Sequence, residues 1–334
     1  MYKSKIIGLG KYVPERVIKN DDLVQYMDTN DQWIRERTGI EERRWAEEGD
    51  GNTTATMGAK AAKIALERAG LTPKDIDFIV FATLSPDYYF PGSGVLLQKI
   101  LGFDTIAALD VRNQCSGFVY ATAVADQFIK TGMYKNVLVV GSEVQSSGLD
   151  LSTRGRGISV IFGDGAGAMV LTRSDDDSGI LSNHIHSEGK YAEELSNRYP
   201  GCIVSPAHLA DHRGYDDLGY YPYMNGNFVF KHAVTRFPEA IMEGLEANGL
   251  TPQDIDVLIP HQANLRISQF VQKRLRMKDE QIINNIQKYG NTTAASIPIA
   301  LTEAWEDGKI KKGDLVVLAA FGSGFTWGSN IIRF

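Results

Sequence analysis

The sequence predicts an α/β protein built from two related halves. Three observations carry this: an internal repeat, apolar strands that alternate with helices, and a length that suits two fused units. Residues 61–77 read AAKIALERAGLTPKDID, and residues 240–256 read AIMEGLEANGLTPQDID. Leu71 and Leu250 are equivalent positions, and they define the offset between the copies. A separation this long does not fit a solenoid; it fits two half-domains about a pseudo-dyad. In each copy a helix ends at Gly, a Leu-Thr-Pro turn stops it from continuing, and a strand begins. These strands cover 78–82 and 257–260, and the same offset carries 137–140 onto 316–319. They are apolar almost throughout, as in sheets covered on both faces. The halves are expected at 1–175 and 180–334.

In chain order, residues 105–111 read as a buried strand, followed by Asn113-Gln114-Cys115-Ser116-Gly117. Phe118, Ala121, Ala125, Phe128 and Ile129 then recur at helical spacing. Cys115 therefore sits where a helix begins, among unpaired N–H groups and a partial positive charge. That position favours the thiolate and predicts a lowered thiol pKa. The plainer reading is a buried structural cysteine. The helix start, the small neighbours that leave access, and a His and an Asn far downstream favour a nucleophile. Adding the offset to Cys115 gives Ala294, inside Gly290-Asn291-Thr292-Thr293-Ala294-Ala295-Ser296, with another helix after it. The two helices are expected side by side at the centre, with Ser116, Gly117, Ala294, Ala295 and Ser296 allowing close approach. Both N-termini would then open on one site.

Phe162-Gly163-Asp164-Gly165-Ala166-Gly167-Ala168 lies between the apolar runs 158–160 and 169–171 and reads as a turn between strands. It lacks the Lys-Ser/Thr of a phosphate loop, and no helix is expected after it. His184 and His186 alternate on a strand; His208 and His212 fall in an aperiodic excursion from Glu188 to Tyr223. No metal-ligand spacing is present, so no metal site is expected. The excursion is expected to cross the surface near the site.

His261 follows the strand at 257–259, at the strand end where such folds bind ligands. The alternative is an ordinary hydrogen-bonded His. Asn291 precedes a helix, and its alternative is a simple N-cap. Phe321-Gly322-Ser323-Gly324-Phe325 follows the last long strand. It is either a turn or a place where bare backbone N–H groups meet a substrate oxygen. A donor of that kind is worth roughly 2.7–4 kcal/mol of transition-state stabilisation. The 264–277 helix carries Arg266, Lys273, Arg274 and Arg276. It is either a solvated face or a patch for an acidic partner or phosphate-bearing ligand.

Composition closes off other classes. The 334 residues are 43% hydrophobic and 23% charged, those of an ordinary globular protein. A net charge of −6 gives no support to nucleic-acid binding. Two cysteines make no disulfide framework, which suits a reducing, cytoplasmic setting. The first residues carry too short an apolar run for a signal peptide, and no run reaches ~18 residues, so no membrane association is expected.

Taken together these residues resemble the β-ketoacyl-acyl carrier protein synthase III family of the thiolase superfamily. The likeness spans the chain and rests on Trp33-Ile34-Arg35-Glu36-Arg37-Thr38-Gly39-Ile40, Cys115-Ser116-Gly117-Phe118, the 162–168 motif, His261-Gln262-Ala263-Asn264-Leu265-Arg266, Gly290-Asn291-Thr292 and residues 321–328. The resemblance implies a five-layered αβαβα thiolase-like fold. It implies that Cys115 accepts an acyl group from acyl-CoA, and that His261 and Asn291 stabilise the enolate left when malonyl-acyl carrier protein loses CO2. The N–H groups of Cys115 and Ser323 would form the oxyanion hole. Trp33, Arg37, Asn227 and Asn264, with Arg154 or Arg156, would hold coenzyme A. Arg266, Lys273 and Arg274 would dock the carrier protein, and Phe90 would close the acyl pocket of a partner in a homodimer. Coenzyme A thioester is then a substrate, and no cofactor is implied.

The sequence departs from the family pattern in four places. Asn113-Gln114 stand where small Ala residues are usual. The Arg154-Gly155-Arg156-Gly157 segment and the 188–223 excursion are longer than usual, and Phe90-Pro91-Gly92-Ser93-Gly94 is Gly-rich. The last two bear on the acyl pocket, and a medium-length primer is expected rather than acetyl. Two other functions are weighed: acyl transfer to an oxygen or nitrogen acceptor, and a non-catalytic carrier-protein-binding subunit.

Overall fold

The computed structural model describes residues 2–202 and 219–334. Its strands in chain order are β1 (Lys3–Tyr12), β2 (Val17–Lys19), β3 (Glu42–Arg44), β4 (Phe78–Ala82), β5 (Ala107–Val111), β6 (Asn136–Glu143), β7 (Gly165–Ser174), β8 (Gly179–Ser187), β9 (Leu195–Ser196), β10 (Tyr223–Met224), β11 (Val257–Pro260), β12 (Leu315–Gly322) and β13 (Thr326–Arg333). One sheet has the order β1-β7-β6-β4-β5 and the other β11-β12-β13-β8. The β4 pairs with β5 and β6 are parallel, as is β11 with β12; the others in these sheets are antiparallel.

The second sheet, read backwards, repeats the first. β8, β13, β12 and β11 take the places of β1, β7, β6 and β4. The offset that equates Leu71 with Leu250 maps β6 onto β12 end for end, and Phe78 of β4 onto Val257 of β11. It also maps the 3-10 turn Gln114–Ser116 onto Thr293–Ala295, and the start of the Gly117–Lys130 helix onto that of Ser296–Glu306. The repeated Gly-Leu-Thr-Pro turn has one structure in both copies. Gly70 and Gly249 both have φ +66°, in the left-handed region that glycine enters without strain. The Thr72 N–H donates to Asp75 at 2.8 Å, and the Thr251 N–H to Asp254 at 2.7 Å.

Five layers result. The Thr54–Ala69 and Ser93–Leu101 helices cover the outer face of the first sheet. Gly117–Lys130 and Ser296–Glu306 fill the space between the sheets. Gly226–Ala247 and Leu265–Leu275 cover the second sheet from outside. All residues of β4, β11 and β12 are buried, which explains why they read as continuous apolar runs rather than alternating ones. Two small residues allow the central helices to meet the first sheet. A Cβ on Gly141 of β6 would lie 2.4 Å from the Ala294 carbonyl oxygen, and one on Gly117 would lie 3.3 Å from the Ala294 Cβ.

The 162–168 motif is not the expected turn between strands. A short helix, Arg156–Ser159, precedes it, and β7 already begins at Gly165. Apolar content at 158–160 reflects burial of this helix against the β2–β3 ribbon, where Val160 joins Ile18, Ile34 and Trp45. The 188–223 excursion contains β9 and β10, which pair with each other. Residues 203–218, including His208 and His212, lie outside the described residues.

Candidate active site

Cys115 enters the centre through a constrained turn. β5 ends at Val111, and the 3-10 turn Gln114–Ser116 leads into the Gly117–Lys130 helix. Gln114 has φ +43°, and its twin Thr293 has φ +49°, a conformation that non-glycine residues rarely adopt. The two strained residues precede Cys115 and Ala294, so the same bend aims both helix starts at the middle of the molecule. Gly322, at the end of β12, lies against the cysteine; a Cβ there would be 2.5 Å from the Cys115 Cβ.

The thiol is 9% exposed. Its backbone N–H and that of Ser323 both act on the sulfur and favour its charged form. Burial is the larger influence, and with the carboxylate of Glu143 it pushes the thiol pKa up to about 12. The direction is opposite to the one that the helix start alone predicts. Desolvation of the charged form outweighs the helix end and the two N–H groups.

His261 follows β11 and is 3% exposed. Its Nδ1 lies 2.7 Å from the Ser296 hydroxyl, at the head of the second central helix. The Gln262 N–H donates to that same hydroxyl oxygen at 3.4 Å, and the hydroxyl hydrogen is available to Nδ1. A hydroxyl that donates to Nδ1 places the ring proton on Nε2. That Nε2 is buried with no partner among the described residues. Burial drives the His261 pKa down to about 3, so the ring is neutral at ordinary pH.

Asn291 is 5% exposed and held on both sides of its backbone. Its N–H donates to the Ile161 carbonyl at 2.8 Å, and its carbonyl accepts from the Gly163 N–H at 3.1 Å. The Oδ1 accepts from the Thr293 N–H at 2.8 Å, so the cap-like bond expected of an ordinary Asn is present. That bond uses the oxygen and leaves the amide's N–H groups as the other end. Gly163 of the 162–168 motif thus fastens the Asn291 turn.

Contacts link the three groups. Ser296 touches His261, Thr293 joins the Asn291 side chain to the wall of the Cys115 cavity, and Ala294 packs on Gly117. The cavity is about 400 Å³ and is lined by Cys115, Gln114, Gln145, Thr293 and Ser323 among others. Two donors at a sulfur, a neutral imidazole with an open Nε2 and an amide can hold an oxyanion and an enolate without a strong base.

Sequence reasoning missed Glu143. It is wholly buried at the end of β6 and accepts from the Thr83 hydroxyl (3.0 Å), the Ser85 hydroxyl (2.6 Å), and the N–H groups of Leu84, Ser85 and Ala294. Burial raises its pKa to about 7 despite these donors. The repeat held the signal: Glu143 is the twin of Gly322, a charged residue opposite a glycine at the end of an apolar strand. Ser296, which orients His261, was noted only for its size.

The remaining candidates separate. Trp33, on the Asp31–Thr38 helix, has the Arg37 guanidinium 4.8 Å and that of Arg156 5.2 Å from its ring centre. Arg154 instead pairs with Asp150 at 2.7 Å and lies over Tyr221. Arg154 and Asn227 line a second cavity of about 720 Å³. Asn264 is committed locally: its amide donates to the Arg37 carbonyl at 2.9 Å, and its oxygen accepts from the Arg266 N–H. Arg266 lies over Phe230, and Lys273 and Arg274 close the last turn of the same helix. Phe90 is 80% exposed. Its neighbour Tyr89 lines the cavity of its own chain. The Ser323 hydroxyl donates to the Leu195 carbonyl. His184 and His186 share Glu243.

Comparison with known proteins adds an independent line. Family models for 3-oxoacyl-[acyl-carrier-protein] synthase III match residues 109–189, and for its C-terminal part residues 245–334. The chain is 47% identical to the β-ketoacyl-[acyl-carrier-protein] synthase III of Alkalilimnicola ehrlichii, over 100% of both chains. It is 44% identical to that of Aliivibrio fischeri, over 99% of each. The 3-oxoacyl-[acyl-carrier-protein] synthase III of Aquifex aeolicus superposes with a TM-score of 0.90 at 44% identity, covering 99% of this chain and 100% of that one. The priming β-ketosynthase of the R1128 polyketide pathway superposes equally well at 31% identity, covering 99% of this chain and 97% of that one.

Proposed function

From the premise that this chain belongs to the 3-oxoacyl-[acyl-carrier-protein] synthase III family, we propose that Cys115, His261 and Asn291 divide one condensation between them. The protein is an acyltransferase that condenses an acyl group from acyl-CoA with malonyl-acyl carrier protein to give a 3-oxoacyl-acyl carrier protein. In the first step the Cys115 sulfur attacks the thioester carbonyl. A carbon–sulfur bond forms to the enzyme, that to coenzyme A breaks, and the thiol proton leaves on coenzyme A. The N–H groups of Cys115 and Ser323 hold the oxyanion, and their approach to the sulfur is the observation that carries this reading.

In the second step the malonyl group loses CO2, and the electron pair passes to an enolate. His261 Nε2–H and the Asn291 amide donate to its oxygen. The enolate carbon attacks the acyl carbonyl and Cys115 leaves. A neutral imidazole is what this step requires, and the buried ring has it. Trp33, Arg37 and Arg156 form the adenine grip, with Arg154 and Asn227 along the second cavity. Arg266, Lys273 and Arg274 meet the acidic carrier protein. Residues 1–175 carry the nucleophile and 180–334 the enolate donors.

Two copies assemble through β5. This strand is the outer edge of its sheet, with Ala107 and Leu109 exposed, and Tyr88, Tyr89 and Phe90 lie exposed on the 83–92 loop. An open apolar edge of this kind invites pairing with a second copy, whose Phe90 would enter this chain's cavity.

The test pairs two readouts: acyl mass on the intact protein, and CO2 release from malonyl-acyl carrier protein. Cys115→Ala should lose the acyl mass. His261→Ala and Asn291→Ala should load acyl groups yet release little CO2. Acyl loading with no CO2 release from the wild type would overturn condensation in favour of transfer to another acceptor.

A further inference from the structure

The cavity beside Cys115 has a wall that an alkyl chain does not need. Arg112 lies on it, just ahead of the nucleophile in sequence, together with Gln114 and Tyr89. Among the described residues, none of these three side chains has a hydrogen-bond or ion-pair partner for its polar end. Two other polar side chains of the cavity are already engaged. The Gln145 amide donates to the Thr293 hydroxyl at 3.0 Å, and the Ser85 hydroxyl serves Glu143. Among the described residues, no carboxylate lines the cavity. Asp110, two residues before Arg112, is taken by the N–H groups of Ser93 and Gly94 at 2.6 and 2.9 Å. Among the described residues the wall therefore holds one unmatched cation and an amide, with no anion.

Arg112 and Tyr89 are exposed at the rim of this wall, and an alkyl chain laid over the guanidinium would cover it from water and give it no partner in return. A carboxylate would return a charge-assisted, bidentate pair. Gln114 is held in its strained bend at φ +43°, which keeps its side chain on this wall where a small residue would suffice for the turn.

We propose that the acyl group taken up by Cys115 ends in a carboxylate, so that the preferred primer is the coenzyme A monothioester of a short dicarboxylic acid. Arg112 binds the far carboxylate, and Gln114 and Tyr89 donate beside it. This rests on the acyl-loading reading above. It adds only the identity of the chain's far end; the transfer step is unchanged.

The experiment loads the wild type, Arg112→Leu and Arg112→Lys with acetyl-, hexanoyl-, succinyl- and glutaryl-CoA. Initial rates are read as acyl mass on the intact protein. The wild type should load succinyl or glutaryl faster than hexanoyl by roughly ten- to hundredfold, the range that one charged hydrogen-bonded pair provides. Arg112→Leu should invert that ratio, and Arg112→Lys should keep part of it. Loading of hexanoyl or acetyl without the diacids overturns the proposal and leaves the family reading intact. So does an Arg112→Leu variant with an unchanged ratio, including one that only shifts dimer to monomer. If no acyl-CoA labels Cys115, the loading reading and this proposal fail together. Should Arg112→Leu not fold, the wild-type ratio alone decides.

Discussion

Two buried groups of the candidate site, His261 and Glu143, should pull stability in opposite directions as the pH falls. His261 has its pKa driven down from 6.5 to about 3. Below pH 6.5 the unfolded chain takes up a proton there and the native state does not, so His261 costs stability on acidification. The 1.5 pH units between 6.5 and 5, at about 1.36 kcal/mol each, make that cost about 2 kcal/mol at pH 5. Glu143 is raised from 4.5 to about 7. Its native form takes up a proton as pH falls through 7 while the unfolded chain does not, so stability is gained. With the group already half protonated at pH 7, the gain by pH 5 is about 2 kcal/mol. In the wild type the two nearly cancel, and single variants should separate them. Relative to its own stability at pH 7, His261→Gln should stand about 2 kcal/mol higher at pH 5 than the wild type does. On the same measure Glu143→Gln should stand about 2 kcal/mol lower than the wild type. Urea unfolding followed by tryptophan fluorescence at the two pH values measures both, and all other titrating groups are common to the three proteins. A His261→Gln variant whose stability changes between the two pH values just as the wild type's does would refute the account of a ring held neutral by burial.

Three further outcomes follow from the same geometry. Gly322→Ala would bring a methyl group to 2.5 Å from the Cys115 Cβ; acyl loading should fall at least about tenfold, with about 1–3 kcal/mol lost from stability, and unchanged loading would contradict the packing. Arg156→Ala should raise the KM for acyl-CoA severalfold more than Arg154→Ala, because Arg156 lies over Trp33; the reverse order would move the adenine grip to the Asp150–Arg154 side. Alkylation of Cys115 by iodoacetamide in the free enzyme should still be accelerating at pH 9, since burial holds the thiol up; a plateau by pH 8 would show that the helix end prevails.

The repeat made most of the architecture legible before any coordinates. The residues that the offset equates are the ones that fold alike: Gln114 with Thr293, Gly117 with Ser296, and β6 with β12. The positions of Cys115, His261 and Asn291 at strand or helix ends could be read for the same reason. Their electrostatics could not. A helix start is a local feature, whereas the desolvation that raises the thiol comes from the whole surrounding core. The repeat marks Glu143 as unusual, but its burial and its donors could not be read, because those donors come from the 83–85 loop and from Ala294, both far along the chain. The different surroundings of Arg154 and Arg156 also needed three dimensions, since Asp150 holds the one and Trp33 lies under the other.

The close approach of Gly141 to the Ala294 carbonyl bears on motion as well as on packing. The layer at that contact is one continuous core that draws Phe78, Val139 and Met169 from one sheet and Val257, Leu318 and Ile332 from the other. The halves therefore have no seam along which to hinge. An enzyme with its proposed nucleophile, Cys115, where the halves fuse cannot open by swinging two lobes apart, and admission of substrate falls to the peripheral segments that border the cavities. The same continuity makes the duplicated chain a single cooperative folding unit, so a cut between the halves would expose the interior of both.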